Sequence, residues 1–266
     1  MILFARNVRA NKYKEYLYAI SRMKNLIVLI HSHTEYIDVL KACVFRFRKF
    51  FPSVQFCIVF NDATKLSSEL ETMTDVKYVF EYEPSTPFYS RLLPALHMME
   101  EDYVLLNLDI NILVEPVKED VLQEAFNIVQ RDNIDQLRLF CNGTDPSQTT
   151  NNMFPINSGY IMSISPAIWK RTSLLDIAQR NKDVSYRSTE NFDIGHYVKN
   201  TYKSYCLYTN EDFKIPNEGH YFSPTFPAIH AVTWGKWILK GPFEDKYVLE
   251  ICKEFGIDIN VRGYVT

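Results

Sequence analysis

The sequence lacks the cysteine patterns that mark a disulfide framework or a zinc site. It contains five cysteines, an odd number, and no two of them form a Cys-x-x-Cys pair. Scattered cysteines of this kind are typical of free thiols in a protein core. We therefore expect mostly buried free thiols at Cys43, Cys57, Cys141, Cys206 and Cys252.

Long apolar runs and an excess of positive charge are also missing. No stretch approaches the roughly 20 apolar residues that cross a bilayer, and the N-terminus lacks the apolar core of a secretory signal. These absences predict a soluble, cytoplasmic protein with no membrane span. The formal net charge of −3 provides no overall attraction to nucleic acid, whose binders usually carry a basic surplus. We expect no nucleic-acid partner.

Glycine is scarce, and the common glycine-rich phosphate loops are absent. The chain has eight glycines, with no Gly-x-Gly-x-x-Gly after its first apolar segment and no Gly-x-x-x-x-Gly-Lys-Ser/Thr anywhere. This counts against a dinucleotide-dependent dehydrogenase and against a P-loop enzyme. Aromatic residues are frequent instead, with 17 tyrosines and 18 phenylalanines, which suits pockets for sugars and bases or simply a well-packed core.

The first clear element is a strand, helix and strand within about thirty-five residues. Residues 26–30 are continuously apolar and rich in β-branched residues, as in a parallel strand buried on both faces. A helix-spaced segment follows, capped by Thr34 and ended by Pro52, and residues 54–60 form a second apolar strand. This is a βαβ unit with polar residues after each strand.

The polar residues after these two strands are candidate nucleotide contacts. Ligands of open α/β sheets bind outside the carboxyl ends of the strands. His31 or His33 and Asn61 or Asp62 would then contact a base and a ribose. The alternative is that all four are loop residues facing water.

A third strand at residues 76–80 precedes a helix at 88–99 that carries Tyr89 and Arg91 near its start. A guanidinium in this position can pair with a diphosphate. It can equally bridge a surface carboxylate, and both interpretations remain open at the level of sequence.

Tyr103 to Val117 is the stretch around which the chain is organised. An apolar strand runs into Asp109 and Asn111, after which the apolar pattern resumes. On extended backbone, residues two apart point the same way, so these side chains can offer two hard oxygens to Mg²⁺ or Mn²⁺. The alternative is an ordinary polar turn, since Asp and Asn are common turn formers.

This order of elements resembles the nucleotide-sugar half of a GT-A glycosyltransferase. In that family an Asp-x-Asp element holds a divalent ion that bridges the donor diphosphate. Asp109 matches its first carboxylate, whereas Asn111 replaces the second, which leaves dependence on Mn²⁺ or Mg²⁺ open. The resemblance also implies a His or Lys near the C-terminus that folds over the diphosphate, with His230 as a third metal ligand or Lys236 as a phosphate clamp.

The second half of the chain is expected to bind the acceptor. Residues 156–164 resemble the GT-A strand that faces the donor sugar, and Pro166 is expected to open a helix ending near Arg180. Together these segments resemble a set of viral and bacterial glycosyltransferases of uncertain substrate, and a viral source would place the protein in the host cytoplasm. The polar tract 141–152 is either a mobile acceptor-side loop or a loose connection.

Two carboxylates are candidates for the catalytic base. If Ser188 caps a helix, Glu190 and Asp193 share one of its faces. An acceptor hydroxyl must lose a proton as it attacks the donor sugar, and we expect Asp193, then Glu190, to accept it. The alternative is a solvated acidic face. Inverting and retaining outcomes both remain open.

The sequence therefore predicts one α/β domain with a mostly parallel central sheet and helices on both faces. Residues 1–24 would form a helical lead-in, 25–140 the donor half, and 141–266 the acceptor half with a C-terminal tail. The expected activity is sugar transfer from a nucleoside diphosphate sugar to a glycan or other hydroxyl acceptor. The alternatives are a sugar-nucleotide pyrophosphorylase and a non-catalytic nucleotide- or glycan-binding module. Oligomeric state is not indicated.

Overall fold

The computed structural model describes residues 23–62, 64–66, 76–140, 153–156, 162–207 and 223–266. The predicted lead-in at 1–24, apart from its last two residues, and the loop at 141–152 lie outside these ranges. Within them, Cys43, Cys57, Cys206 and Cys252 are buried free thiols, as expected. None of the helices in these ranges is both long and apolar enough to cross a bilayer.

Among the described residues, the centre of the protein is an eight-stranded sheet. In chain order its strands are β1 (Leu26–His31), β2 (Gln55–Phe60), β3 (Val76–Glu81), β4 (Tyr103–Leu108), β6 (Gln136–Arg138), β7 (Met153–Pro155), β8 (Ala167–Lys170) and β9 (Ser204–Leu207). Across the sheet they lie in the order β3-β2-β1-β4-β8-β6-β9-β7.

Strands β1 to β4 form a continuous parallel half of the sheet, with β1 paired to both β2 and β4. Strand β8 runs antiparallel between β4 and β6, and β9 is again parallel to β6. The predicted βαβ unit and the mostly parallel sheet are confirmed. Every residue of β1 and of β4 is buried, because both faces of these strands are covered.

Helices cover the two faces of the sheet and form two apolar cores. Val39, Leu122 and Val248 belong to one core, and Leu92, Leu174 and Val198 belong to the other. The helices of the first face are α1 (Ile37–Phe50), α3 (Glu119–Arg131) and α6 (Pro242–Phe255), and those of the second are α2 (Phe88–Met98), α4 (Arg171–Arg180) and α5 (Phe192–Thr201). The prediction of helices on both faces is confirmed.

The expected helix from Pro166 to Arg180 is wrong in its first part. Ala167, Ile168 and Trp169 are completely buried and form β8, because the site between β4 and β6 favours an apolar, aromatic strand over a helix turn. The helix begins only at Arg171, whose guanidinium donates to the carbonyls of Glu101 and Leu96. The expected strand at 156–164 is also wrong at its C-terminal end, since residues 162–164 are not in a strand, whereas residues 157–161 lie outside the described ranges.

The predicted cap at Ser188 is also wrong. Ser188 ends a single 3-10 turn that begins at Tyr186. Helix α5 starts at Phe192, and the side chain of Asn191 caps it by accepting a hydrogen bond from the Ile194 N–H. Glu190 therefore precedes the helix and does not share a helical face with Asp193.

The C-terminal segment returns to the end of β4. The turn after β4 leads into β5 (Asn111–Leu113). In the C-terminal segment, β10 (Ala228–His230) pairs antiparallel with β5. Strands β11 (Val232–Thr233) and β12 (Lys236–Ile238) then form a hairpin, which β13 (Tyr264–Val265) extends. Gly256, with φ of 64°, ends α6 in the left-handed conformation.

Candidate functional site

The strand order creates a crevice where β1 meets β4. The chain proceeds outward from β1 through β2 to β3 and then crosses to the other side of β1 to form β4. In open α/β sheets, ligands bind at such a switch in strand order, outside the carboxyl ends of the strands. Ser32 follows β1 and Asp109 follows β4, and the Ser32 hydroxyl donates to Asp109 Oδ2 at 2.5 Å.

The side chain of Asn107 stabilises the turn that carries Asp109. This buried side chain donates from Nδ2 to the carbonyl of Leu108 at 2.6 Å and to the carbonyl of Asn111 at 3.1 Å. The bond to Leu108 lies within the end of β4, and the bond to Asn111 ties this end of β4 to the start of β5. Asn107 thus positions the turn, while Asp109 and Asn111 reach the crevice.

Two adjoining cavities open at this crevice, with volumes of about 430 and 690 Å³. Both volumes are in the range of small-molecule sites. We call them the first and second cavity. His31, His33, Arg91 and Asp109 line the first, and Asn111 and Glu190 line the second. The residues that border both are Leu108, Ile110, Tyr186, His230 and Trp234.

Asp109 is a carboxylate in an environment that disfavours its charge. Its side chain is buried, and burial raises its pKa from 3.8 to about 7. Hydrogen bonds from Ser32 and from the Ile110 N–H lower the pKa and only partly offset burial. A cation bound beside Asp109 would favour its ionised form, so this carboxylate is suited to hold one.

The wall of the first cavity carries a fixed cation beside a neutral imidazole. Burial, together with the nearby Arg91 charge, lowers the pKa of His31 to about 3. Arg91 Nε donates to the carbonyl of Thr86 at 2.7 Å and Nη2 to that of Pro84 at 3.2 Å, and the guanidinium lies 4.5 Å from the ring centroid of Tyr82. Arg91 is therefore held in place before any anion arrives.

Asn111 and His230 occupy neighbouring positions across the β5–β10 pair. The Asn111 side chain is 1% exposed, and its Oδ1 atom has no hydrogen-bond partner among the described residues. A buried amide oxygen without a hydrogen-bond partner lowers the stability of the folded protein by about 1–3 kcal/mol. A hydrogen bond from a ligand in the second cavity, or a cation bound there, would offset this cost.

The donor set of Asp109, Asn111 and His230 fits a divalent ion only in part. The described residues contain no group of three or more His, Cys, Asp or Glu side chains placed to hold a metal. A desolvated carboxylate and an orphaned amide oxygen nevertheless suit a hard cation. These two oxygens would fill only part of the coordination sphere of a divalent ion and would leave the remaining positions to other ligands.

Glu190 and Asp193, the two predicted bases, occupy different environments. Glu190 lines the second cavity, and its Oε1 accepts a hydrogen bond from the Ile164 N–H at 2.7 Å. The buried Tyr89 hydroxyl donates to the carbonyl of Thr189 at 2.7 Å and so fixes the backbone next to Glu190. Asp193 is exposed in the first turn of α5 and lines neither cavity.

Four of the predicted nucleotide contacts lie outside both cavities. Tyr89 is fully buried. Asn61 Oδ1 accepts from the Thr34 N–H at 2.7 Å and stabilises the turn after β1. Asp62 accepts a hydrogen bond from the hydroxyl of Thr64 at 2.6 Å, and Lys236 is exposed on β12.

Several residues of the site were not singled out from sequence. Ser32 lies between His31 and His33 in the polar segment after the predicted strand at 26–30, a position that could have identified it. Tyr36, Tyr82 and Tyr186 lie in segments whose sequence carries no motif, so only the fold brings them to the crevice. Tyr82 donates its hydroxyl to the carbonyl of Ser32 at 2.7 Å and thereby supports the turn after β1.

Neither a scan of family models nor a search of curated proteins finds a match to this sequence. Solved structures do resemble the fold. A 4-diphosphocytidyl-2C-methyl-D-erythritol synthase from Anaerococcus prevotii is 10% identical with a TM-score of 0.47, over 73% of this chain and 91% of the other. A mannosyltransferase from Pyrobaculum calidifontis, in complex with GDP-Man and Mn²⁺, is 12% identical with a TM-score of 0.47, over 78% and 65% of the chains.

A third neighbour is S. aureus TarS 1-349 in complex with UDP-GlcNAc, which is 15% identical with a TM-score of 0.46. The match covers 69% of this chain and 56% of TarS, so the chain spans less than two thirds of both the TarS and the mannosyltransferase structures. These neighbours include GT-A glycosyltransferases and nucleotidyltransferases. At such identities and TM-scores they do not assign a reaction to this chain.

Proposed function

We propose that this protein transfers a sugar from a nucleoside diphosphate sugar to a hydroxyl acceptor. The observation that carries the proposal is the pair of adjoining cavities that meet at the Asp109 turn, at the switch in strand order. Two substrates can occupy two cavities and react at the shared wall. Holding reactants side by side in this way removes much of the entropic part of the barrier.

In this proposal the donor occupies the first cavity. The fixed guanidinium of Arg91 would pair with a phosphate, because a preorganised cation interacts with an anion at little cost in reorganisation. His31 stays neutral at physiological pH because of its low pKa, and so serves as a hydrogen-bonding wall. His33, on the same loop, also lines this cavity.

Asp109, Asn111 and His230 would hold a divalent ion, Mn²⁺ or Mg²⁺, together with the donor phosphates. Such an ion would stabilise the negative charge of the departing nucleoside diphosphate. Asp109 contributes the only carboxylate of this set, and Asn111 contributes the buried oxygen that otherwise has no partner among the described residues. We therefore expect weak metal affinity in the absence of nucleotide and stronger affinity in its presence.

The acceptor would occupy the second cavity, with Glu190 as the base. A carboxylate in this wall can accept the proton of a hydroxyl that attacks the donor sugar. The hydrogen bond from the Ile164 N–H fixes one end of the carboxylate. Asp193, the first choice from sequence, is not brought to this cavity, and we assign the base role to Glu190.

Calorimetric titration of UDP and GDP, with Mn²⁺ and again with chelator, tests the donor site. We expect binding of one nucleotide with Mn²⁺ and at least tenfold weaker binding with chelator or in Asp109→Ala. Asp62→Ala is the matched control, because Asp62 is a carboxylate outside both cavities, and it should bind as the wild type does. Absence of binding by both nucleotides under all conditions would overturn the donor site and favour a non-catalytic module.

A further inference from the structure

Trp234 is an unusual residue for the edge of a binding site. Its side chain is 94% exposed, although tryptophan is on average a largely buried residue. It lies at the tip of the β11–β12 hairpin with φ of 48°, followed by Gly235 with φ of 79°. Two successive positive φ values are typical of a two-residue hairpin turn, in which Asn and Gly are the favoured residues. Trp234 therefore has a strained backbone conformation as well as an exposed side chain.

The hairpin tip is tied to the crevice. Tyr36, which lines the first cavity, forms a hydrogen bond with the backbone of Gly235. The guanidinium of Arg262 lies 4.8 Å from the Tyr36 ring centroid and pairs with Asp38. These contacts hold the tip in place, and Trp234 borders both cavities.

Tyr186 borders the same two cavities. Its ring is 44% exposed and packs edge-on against Phe88, with 5.5 Å between ring centroids. Two partly or fully exposed aromatic rings therefore line the junction of the cavities. An aromatic face stabilises a flat apolar surface, such as the C–H face of a pyranose ring.

Polar groups lie beyond these rings in the second cavity. They include the buried Asn111 Oδ1 atom and the Glu190 carboxylate. A sugar ring presents C–H groups on a face and hydroxyls around its edge, so it can satisfy both kinds of surface at once. The Asn111 Oδ1 atom has two lone pairs, so one can bind the ion of the proposed donor site while the other accepts a hydrogen bond from a sugar hydroxyl. An alkyl chain could cover the aromatic rings but would offer no hydroxyl to this oxygen or to the Glu190 carboxylate.

We infer that the acceptor is itself a carbohydrate, and that Trp234 packs on one of its rings while Glu190 receives the proton of the reacting hydroxyl. This inference rests on the proposed transferase function and names its acceptor class. The strain at Trp234 supports it, because backbone outliers of this kind persist mainly where they serve a site.

Tryptophan fluorescence offers a direct test. The chain has three tryptophans, and Trp169 and Trp237 are fully buried, so acrylamide quenching of the wild type reports on Trp234. With nucleotide and Mn²⁺ bound, we titrate methyl glycosides of hexoses and N-acetylhexosamines, a Ser/Thr peptide and an alkyl glycerol. We expect at least one glycoside to shift emission to shorter wavelength and to reduce quenching, and the peptide and alkyl glycerol to have no effect.

Variants of Trp234 separate binding from stability. Glycoside affinity, measured by calorimetry, should fall about tenfold in Trp234→Asn, whereas Trp234→Phe should retain most of it. Because asparagine suits the turn, Trp234→Asn should also raise Tm by about 2–4 °C. A structural role for Trp234 would instead lower Tm in this variant.

Protection of Trp234 by the peptide or the alkyl glycerol alone, or by none of the probes, would overturn the carbohydrate acceptor. Nucleotide binding is measured in the same samples. If nucleotide binds and no glycoside protects Trp234, only the acceptor class fails. If nucleotide does not bind, the donor site and the proposed function fail with it.

Discussion

Replacing Asp109 with asparagine should lower the rate of sugar transfer about 10³-fold while stabilising the folded protein above neutral pH. The loss of rate follows from removing the single carboxylate that would hold a cation against the donor diphosphate, a contribution of several kcal/mol to the transition state. Asparagine keeps the shape of the side chain and can still hydrogen-bond to Ser32. The variant should therefore fold, and steady-state kinetics with saturating donor would measure the loss.

The gain in stability depends on pH in a defined direction. The pKa of Asp109 rises from 3.8 to about 7 on folding in the absence of metal, so the folded state binds a proton more tightly than the unfolded state. Ionisation therefore costs stability, beginning as the pH rises above about 4 and reaching its full value above about 7. At 1.36 kcal/mol per pKa unit, the limit is roughly 4 kcal/mol.

Urea unfolding of wild type and Asp109→Asn at pH 4 and pH 8, both in chelator, measures this effect. The free energies of unfolding of the two proteins should differ little at pH 4. At pH 8 the free energy of unfolding of the variant should be larger by about 1 kcal/mol or more. If the free energy of unfolding differs between the variant and the wild type by the same amount at both pH values, ionisation of the buried Asp109 carboxylate does not cost stability, which contradicts this account. Adding Mn²⁺ with nucleotide should stabilise only the wild type.

Glu190→Gln should reduce transfer by 10²- to 10⁴-fold, the usual contribution of a general base, whereas Asp193→Asn should change it by less than about twofold. The two carboxylates are three residues apart, but only Glu190 lines the second cavity. Glutamine keeps an oxygen that can accept the hydrogen bond from the Ile164 N–H, so the wall of the cavity should be preserved.

The loss in Glu190→Gln should be in kcat at saturating donor and acceptor, with nucleotide affinity unchanged, because Glu190 lies away from the first cavity. Asp193→Asn is the matched control for removal of one negative charge near α5. An equal loss in both variants would point to a general electrostatic effect. Full activity in Glu190→Gln would remove it as the base.

The parallel half of the fold and the core of the candidate site follow from local sequence patterns. Apolar, β-branched runs identify β1, β2 and β4, and polar residues directly after them are already at the correct edge of the sheet. For this reason Asp109, Asn111, His31 and His33 could all be selected as candidates from their positions in the sequence, and the fold places all four at the cavities.

The errors came from segments whose conformation depends on distant neighbours. Residues 167–170 form a strand because β4 and β6 flank them, and no local signal reports that position. Glu190 and Asp193 have helical spacing, yet the cap at Asn191 starts the helix between them. Trp234 lies far along the chain from Tyr186, and the wall that they share exists only after folding.

The most direct test of the proposed activity is to identify the nucleotide product. In one set of samples, purified protein is incubated with Mn²⁺, methyl glycosides and one donor, either UDP-glucose, UDP-GlcNAc or GDP-mannose. In a parallel set, it is incubated with sugar 1-phosphates and UTP, CTP or GTP. The released nucleotides and pyrophosphate are then separated and quantified. We predict that UDP or GDP accumulates from one donor together with an equal amount of glycosylated acceptor, and that Asp109→Asn forms both products about 10³-fold more slowly. Release of pyrophosphate from a nucleoside triphosphate, with no UDP or GDP from any donor, would contradict sugar transfer and identify a nucleotidyltransferase instead.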